Sequence, residues 1–365
     1  MTRTRIIFYN FFFFFIFFII FDLIASNLIL KIDNFTCYKI EKNYYELKKS
    51  CKGKHQFKPS FPIINIVTND LGLRSNKLKI ENSEKPKIFF FGDSFTFGVG
   101  VDYNKTFVGL LEERFNNYSF YNFAVGSYSP SMHLYKLEQA LKNNLIPKKT
   151  ILLLDLTDIY DEGARWYTSN SKPQLFSDYI FNKYNEKKKF THKNFQITRL
   201  AASKVNYNIR ILKNKFRKSL LSNNKKEQVK TSFQGNFTYT PKISLNENYW
   251  TDKIFLSGIK NIKNKINKIS TLLKNHESEF YLVVYPWAET LVHGQEVFNW
   301  EKFGQELCSE KKCTLINAFD EFRKRKNTNK NWYSNLFFVG DEHFNDGGNL
   351  LIADLLEYKV FENNQ

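Results

Sequence analysis

Five short apolar runs separated by helix-patterned stretches predict an α/β protein. The expected form is a three-layer α/β/α sandwich around a five-stranded parallel sheet, preceded by one transmembrane helix. Two observations carry this expectation. The runs are continuous in Val, Ile, Leu and Phe rather than alternating with polar residues, as strands buried on both faces must be. Residues 6–30 form a strongly apolar stretch behind Arg3 and Arg5, long enough to span a hydrocarbon core of about 20 residues as a helix.

The elements follow in order. The unbroken run from Phe11 to Phe21 alone would suit a signal-peptide core, but Ala25, Ser26 and Asn27 make a poor cleavage site and no lipobox precedes Cys37. Residues 1–31 therefore read as an uncleaved anchor, with a cleaved signal segment as the alternative. Positive residues before a span stay cytoplasmic, which puts the rest of the chain on the periplasmic or extracytoplasmic side of the inner membrane. Residues 32–84 are polar and aromatic without clear periodicity and read as a lead-in, ending in a turn-like TNDLG at residues 68–72.

From residue 85 the rhythm changes. KIFFF (residues 87–91), FYNFAV (120–125) and TILLLDL (150–156) read as three strands, with helices between them marked by Phe107, Leu110, Leu111 and Phe115, and by Leu134, Leu137 and Leu141. Residues 160–250 interrupt this pattern with a lysine- and asparagine-rich insertion that has helical patches and no strong strand. Phe255, Ile259, Ile262, Ile266, Ile269 and Leu273 then recur at spacings of four and three, one apolar helix face suited to packing on a sheet. FYLVVY (280–285) and TLINAF (314–319) add two strands, and residues 349–356 a closing helix.

The chain has 54 Lys and Arg against 36 Asp and Glu, a formal net charge of +18, which invites a nucleic-acid reading. Its lysine clusters, at residues 187–189 and at Lys213, Lys215, Arg217 and Lys218, accompany no nucleic-acid motif, so solvated faces explain them and no nucleic-acid partner is expected. Four cysteines match no zinc-ribbon or CxxC spacing. In an exported protein, Cys37 with Cys51 and Cys308 with Cys313 would close two short loops, each worth about 2 to 3 kcal/mol; four free buried thiols are the alternative.

In doubly wound sheets the reacting residues sit at the carboxyl ends of strands. The first such loop, GDSFTFGVG at residues 92–100, places Ser94 at a helix start, as a nucleophile or simply as a cap. The second puts Gly126 where a backbone amide can approach a substrate. The third carries Asp155, Asp158, Asp161 and Glu162, an acidic rim suited to hydrogen bonding and substrate contact rather than to a metal, since no histidine lies near. VGDEHFNDGGN at residues 339–349 supplies a base: His343 would take the Ser94 proton while Asp341 fixes the imidazole tautomer. His293 is a reserve candidate. Trp287 in YPWAETL offers either a sugar-stacking platform or, more commonly, a core side chain.

Together these blocks resemble the SGNH or GDSL hydrolase superfamily over residues 87 to about 356, the insertion excluded. The resemblance implies a flavodoxin-like SGNH hydrolase domain at residues 85–365, with Ser94 as nucleophile, His343 as base, Asp341 as its orienter, and the amides of Ser94 and Gly126 as oxyanion donors. Two departures stand out. Where the family has GxND and uses the Asn amide, this chain has LTD with Asp158, and an ionised Asp cannot donate; one lost donor costs about 2.7 to 4 kcal/mol. Asp341 and His343 form DxH rather than DxxH, a variant similar to that of membrane-linked polysaccharide acetylation proteins. The resemblance thus implies a serine esterase or O-acyltransferase acting on acyl esters, acetyl above all, of an envelope polysaccharide, without metal or cofactor. The alternative is a catalytically weak relative that binds carbohydrate or scaffolds an envelope assembly.

Overall fold

The computed structural model describes residues 3–33, 36–41, 44–58, 60–80, 84–169, 172–175, 190, 193–202, 204–206, 208–209, 252–295 and 298–362. Its centre is a parallel five-stranded sheet of β5 (Lys87–Phe91), β6 (Ser119–Asn122), β7 (Lys149–Leu154), β10 (Glu279–Val284) and β11 (Thr314–Asn317), in the order β11-β10-β7-β5-β6. β7 is central and all six of its residues are buried, which is why its sequence has no polar alternation. The strand-end loops after β5, β6, β7 and β10 therefore open along one edge of the sheet.

Helices Pro130–Lys142 and Asp252–Asn275 pack on one another, and Phe107–Arg114 packs on Asp346–Leu356, giving the helical layers of the sandwich. In Asp252–Asn275 the expected stripe faces inward: Ile262, Ile266, Ile269 and Leu273 are buried in the main core, and Phe255 and Ile259 lie partly buried against it.

Two regions are more ordered than their sequence suggests. Residues 32–84 hold two antiparallel hairpins, β1 (Tyr38–Glu41) with β2 (Tyr44–Leu47) and β3 (Lys52–His55) with β4 (Ile64–Val67), and contribute Tyr45, Leu47, Phe61, Ile64 and Ile66 to a second core. Strands of four residues are too short to display a period. The disulfide Cys37–Cys51, with Cα atoms 5.6 Å apart, ties these hairpins together, and Cys308–Cys313 (4.7 Å) closes the turn before β11. At the start of the expected insertion stands a third hairpin, β8 (Trp166–Ser169) with β9 (Lys172–Leu175), where the sequence pattern predicts no strong strand; Trp166 and Leu175 join the second core. The lysine clusters at 187–189 and 213–218 lie outside the described residues.

At the N-terminus a helix over Arg3–Ile24 runs on as a π-helical turn, Ala25–Leu30. Residues Thr4–Leu30 are long and apolar enough to cross a membrane, and most of their surface is uncovered by the rest of the chain. The exceptions are Asp22, Ala25 and Ser26, and Asp22 is the charged one. Its carboxylate accepts hydrogen bonds from the Ser26 hydroxyl (2.8 Å) and from the backbone N–H groups of Ile197 (3.0 Å) and Thr198 (2.9 Å), fastening the end of the apolar helix to a segment of the insertion.

Candidate active site

β5 delivers Ser94. Its last residue, Phe91, is fully buried, and the chain then turns through Gly92 and Asp93 into the four-residue helix Ser94–Phe97. Gly92 is needed for space, because a β-carbon there would collide with Thr96 Oγ1. Asp93 caps the helix, its Oδ1 accepting from the Phe95 N–H at 2.9 Å, which leaves the Ser94 hydroxyl at the sheet edge rather than spent on capping.

His343 and Asp341 arrive from the loop before helix Asp346–Leu356. His343 Nε2 lies 2.8 Å from Ser94 Oγ, and its Nδ1 lies 2.5 Å from Asp341 Oδ1, which also accepts the His343 backbone N–H at 3.0 Å. An ionised carboxylate only accepts, so the ring proton belongs on Nδ1 and Nε2 is free to accept from serine. Both side chains are buried. Burial pushes Asp341 up, but the His343 imidazole and then the Lys58 ammonium outweigh it and hold the carboxyl below its usual range. Burial pushes His343 down, and Asp341 more than restores it, leaving the imidazole more basic than an isolated one. Phe95 stacks on the imidazole with ring centroids 4.9 Å apart, and Phe57 meets it edge-on at 5.2 Å.

Gly126 also reaches this edge. A β-carbon placed on it would find Ser94 Cβ at 3.9 Å. Its carbonyl accepts from the Tyr45 hydroxyl (2.8 Å) and the next carbonyl, of Ser127, from the Trp166 indole N–H (2.9 Å). The hairpins β1–β2 and β8–β9 thus set the angle of the Gly126 loop.

The acidic residues after β7 do not form a rim. Asp155, Asp158, Asp161 and Glu162 are all buried. Asp158, expected beside the reacting carbonyl, instead completes a capping box in helix Leu156–Tyr160, its Oδ2 accepting the Asp155 N–H at 2.8 Å. Burial, reinforced by Asp155 and Asp93, raises its pKa well above the carboxylate range. The residue that does face the serine loop is Thr157, whose hydroxyl lies 3.3 Å from Asp93 Oδ2, an oxygen that also lies 3.3 Å from Ser94 Oγ, farther than His343 Nε2 at 2.8 Å. Thr157 precedes Asp158 as Asn precedes Asp in GxND, so reading the block one residue earlier would have found it. Burial, with Asp155 next, raises Asp93 to about 7.

Trp287 is a core side chain, 2% exposed, and its indole N–H donates to Asp155 Oδ2 at 2.9 Å. His293 ends helix Ala288–His293. Asp341, Glu342 and His343 bring three potential metal-ligating atoms within 4.8 Å, but Asp341 is committed to His343 and to the Lys58 cation, a poor setting for a second cation. A groove of about 630 Å³ between helices Pro130–Lys142 and Asp252–Asn275 is lined by Tyr135, Lys268 and His276 among others, and includes none of Ser94, His343 or Asp341.

No protein-family model matches the chain, and no curated protein does. Solved structures with similar chain traces include a member of the lipolytic G-D-S-L family from Veillonella parvula, 13% identical, covering 76% of this chain and 98% of its own, TM-score 0.41. An alpha/beta hydrolase from the metagenome of Lake Arreo is 10% identical and covers 75% of this chain and 94% of its own, TM-score 0.41. A catalytic mutant of an acetylxylan esterase from Geobacillus stearothermophilus is 8% identical and covers 76% and 94%, TM-score 0.37. Such identities leave the site residues to be judged by their own geometry.

Proposed function

We propose that this chain is a membrane-anchored, exported ester hydrolase or O-acyltransferase of SGNH type, working through Ser94, His343 and Asp341 on acyl esters of an envelope glycan. The observation that carries the reading is the unbroken relay from Ser94 Oγ through both ring nitrogens of His343 to Asp341 Oδ1. In the reaction His343 Nε2 takes the hydroxyl proton as Ser94 Oγ attacks the ester carbonyl. Asp341, kept ionised, stabilises the imidazolium that forms. The backbone amides of Ser94 and Gly126 are the proposed donors to the tetrahedral oxyanion, with the Thr157 hydroxyl as a third. Collapse of the intermediate expels the alcohol, which takes the proton back from Nε2 and leaves an acyl group on Ser94. Water completes a hydrolysis; a sugar hydroxyl, deprotonated in the same way, completes a transfer.

The choice of glycan rests on the sequence resemblance and on the membrane-directed helix. A fluorophosphonate probe and an aryl-acetate assay on the full chain test the chemistry. Labelling and turnover present in the wild type and absent in Ser94→Ala and His343→Ala support the reading. A folded wild type that neither labels nor turns over overturns it in favour of a carbohydrate-binding relative.

A further inference from the structure

The triad carboxylate has a partner that a three-residue relay does not need. Asp341 Oδ1 serves His343, while Oδ2 is held by the ammonium of Lys58, which comes from the loop between β3 and β4, 283 residues away in sequence. We propose that Lys58 is a positioning residue for the Ser94 reaction, fixing the rotation of the Asp341 carboxylate and setting the basicity of His343; this rests on the function proposed above.

Several contacts hold Lys58 in this place. The Phe61 N–H donates to the Lys58 carbonyl at 2.9 Å, and Gln56 Nε2 donates to the Phe61 carbonyl at 3.0 Å. Gln56 Oε1 in turn accepts from Arg199 at 3.0 Å, next to the Thr198 that binds Asp22. The Phe61 ring packs on Phe338 with centroids 4.3 Å apart, three residues before Asp341. The ammonium also lies 5.3 Å from the Phe57 ring centroid, and that ring meets His343 edge-on. One loop therefore grips both residues that stand behind the serine.

The electrostatic consequence has a definite sign. The charged and titratable groups around His343 and Asp341 are Glu342, with Oε1 3.8 Å from Nδ1, Asp93 across the serine, Tyr333, whose hydroxyl donates to the Asp341 carbonyl at 3.4 Å, and Lys58. Glu342 and Asp93 favour the imidazolium. Lys58 opposes it, being the one cation paired with Asp341 among the described residues. Removing that charge raises the His343 pKa, so the neutral base appears only at higher pH. It also frees a buried carboxylate oxygen and lets the carboxyl rotate away from the imidazole.

The experiment compares Lys58→Met, Lys58→Gln and Lys58→Arg with the wild type as full chains, by fluorophosphonate labelling and by the pH profile of aryl-acetate turnover. For Lys58→Met and Lys58→Gln we expect kcat lower by about tenfold or more, KM little changed, and the acid limb of kcat/KM displaced upward by up to about one pH unit. Lys58→Arg keeps the charge and should recover most of both. Thermal melts identify any variant that fails to fold, and the two neutral replacements guard against losing one. An active wild type whose neutral variants keep kcat and the acid limb overturns the role of Lys58 and leaves the triad standing. A folded Lys58→Arg that behaves like Lys58→Met overturns it as well. A wild type that neither labels nor turns over fails the underlying function, and this role with it.

Discussion

The Thr157 hydroxyl lies 3.3 Å from Asp93 Oδ2, so the loop after β7 touches the residue that caps the serine helix. Thr157 Oγ1 also lies 2.5 Å from Asp155 Oδ1, and Asp155 in turn accepts the Trp287 indole N–H. In the reaction proposed above, the hydroxyl rotates from these carboxylates to the oxyanion formed at Ser94. Thr157→Val keeps the shape and removes the donor. Its kcat should fall about tenfold or more with little change in KM or melting temperature, whereas Thr157→Asn, which restores a donor, should stay close to wild type. Full activity in the valine variant would remove Thr157 from the reaction.

A second expectation concerns pH. Burial raises Asp161 to about 8 and Asp93 to about 7, with Arg165 opposing the shift at Asp161 and Asp155 adding to it at Asp93, and it raises Asp158 in the same direction. A carboxyl whose folded pKa exceeds its unfolded one binds its proton more tightly in the native state. It therefore stabilises the fold below the unfolded value, near 4, and the contribution is lost as pH climbs towards 7 to 8. Asp341 acts oppositely below about 4, and the buried His133, pushed down to about 3, does so below about 6.5, one group against the three raised carboxyls. The protein should melt higher at pH 5 than at pH 8. Asp158→Asn mimics the protonated acid and keeps an acceptor for the Asp155 N–H, so it should match wild type at pH 5 and exceed it at pH 8. Asp158→Ala also loses the capping box and should be weaker than Asp158→Asn at both, by about 1 kcal/mol. An Asp158→Asn melting curve that tracks wild type at both pH values would refute the account.

Long-range periodicity and strand-end logic make much of this legible in the sequence. β5 and β7 announce themselves because strands buried on both faces have no polar alternation, and the stripe from Ile262 to Leu273 because one helix face meets the sheet. Ser94, His343 and Asp341 can be picked out because each sits in a loop at the end of a predicted strand or before a predicted helix. Lys58 and Phe57 cannot: they follow a four-residue strand, and only the tertiary fold brings them to His343. The polarity of the acids after β7 suggests a solvent-facing rim. Burial is instead tolerated because Asp158 caps a helix and Glu162 accepts from Ser129 Oγ at 2.6 Å and Ser131 Oγ at 2.9 Å.

Gly126 and Gly92 should separate activity from stability. A methyl at Gly126 meets Ser94 Cβ at 3.9 Å, an ordinary contact, so Gly126→Ala should fold as wild type. If the Gly126 amide donates to the oxyanion as proposed, the added carbon crowds the reacting ester, and kcat/KM should fall at least about tenfold. Gly92→Ala has no such room, since the new carbon collides with Thr96 Oγ1, and should lower the melting temperature and the yield of folded protein. Melting curves beside turnover assays check both. A Gly126→Ala enzyme of unchanged kcat/KM would place the substrate elsewhere.

The disulfide Cys37–Cys51 couples stability to the site. Its ends are 14 residues apart, against 5 for Cys308–Cys313, and loop-closure entropy assigns them about 3 and about 2 kcal/mol. The two differ more in what they hold. Cys37–Cys51 joins the segment before β1 to the residue just before β3, the strand that leads into Gln56, Phe57 and Lys58, and both cysteines lie in or against the second core with Tyr45 and Phe61. Breaking it should loosen the loop that grips Asp341 and the tyrosine that holds the Gly126 carbonyl. Cys308–Cys313 lies in the turn before β11, at the far edge of the sheet from β5 and β6. Replacing Cys37 and Cys51 together by Ser should therefore lower both the melting temperature and kcat measured well below it. Replacing Cys308 and Cys313 should lower the melting temperature alone. Equal losses of kcat from the two replacements, at a temperature where both proteins are folded, would show that the hairpins do not set the geometry of the site.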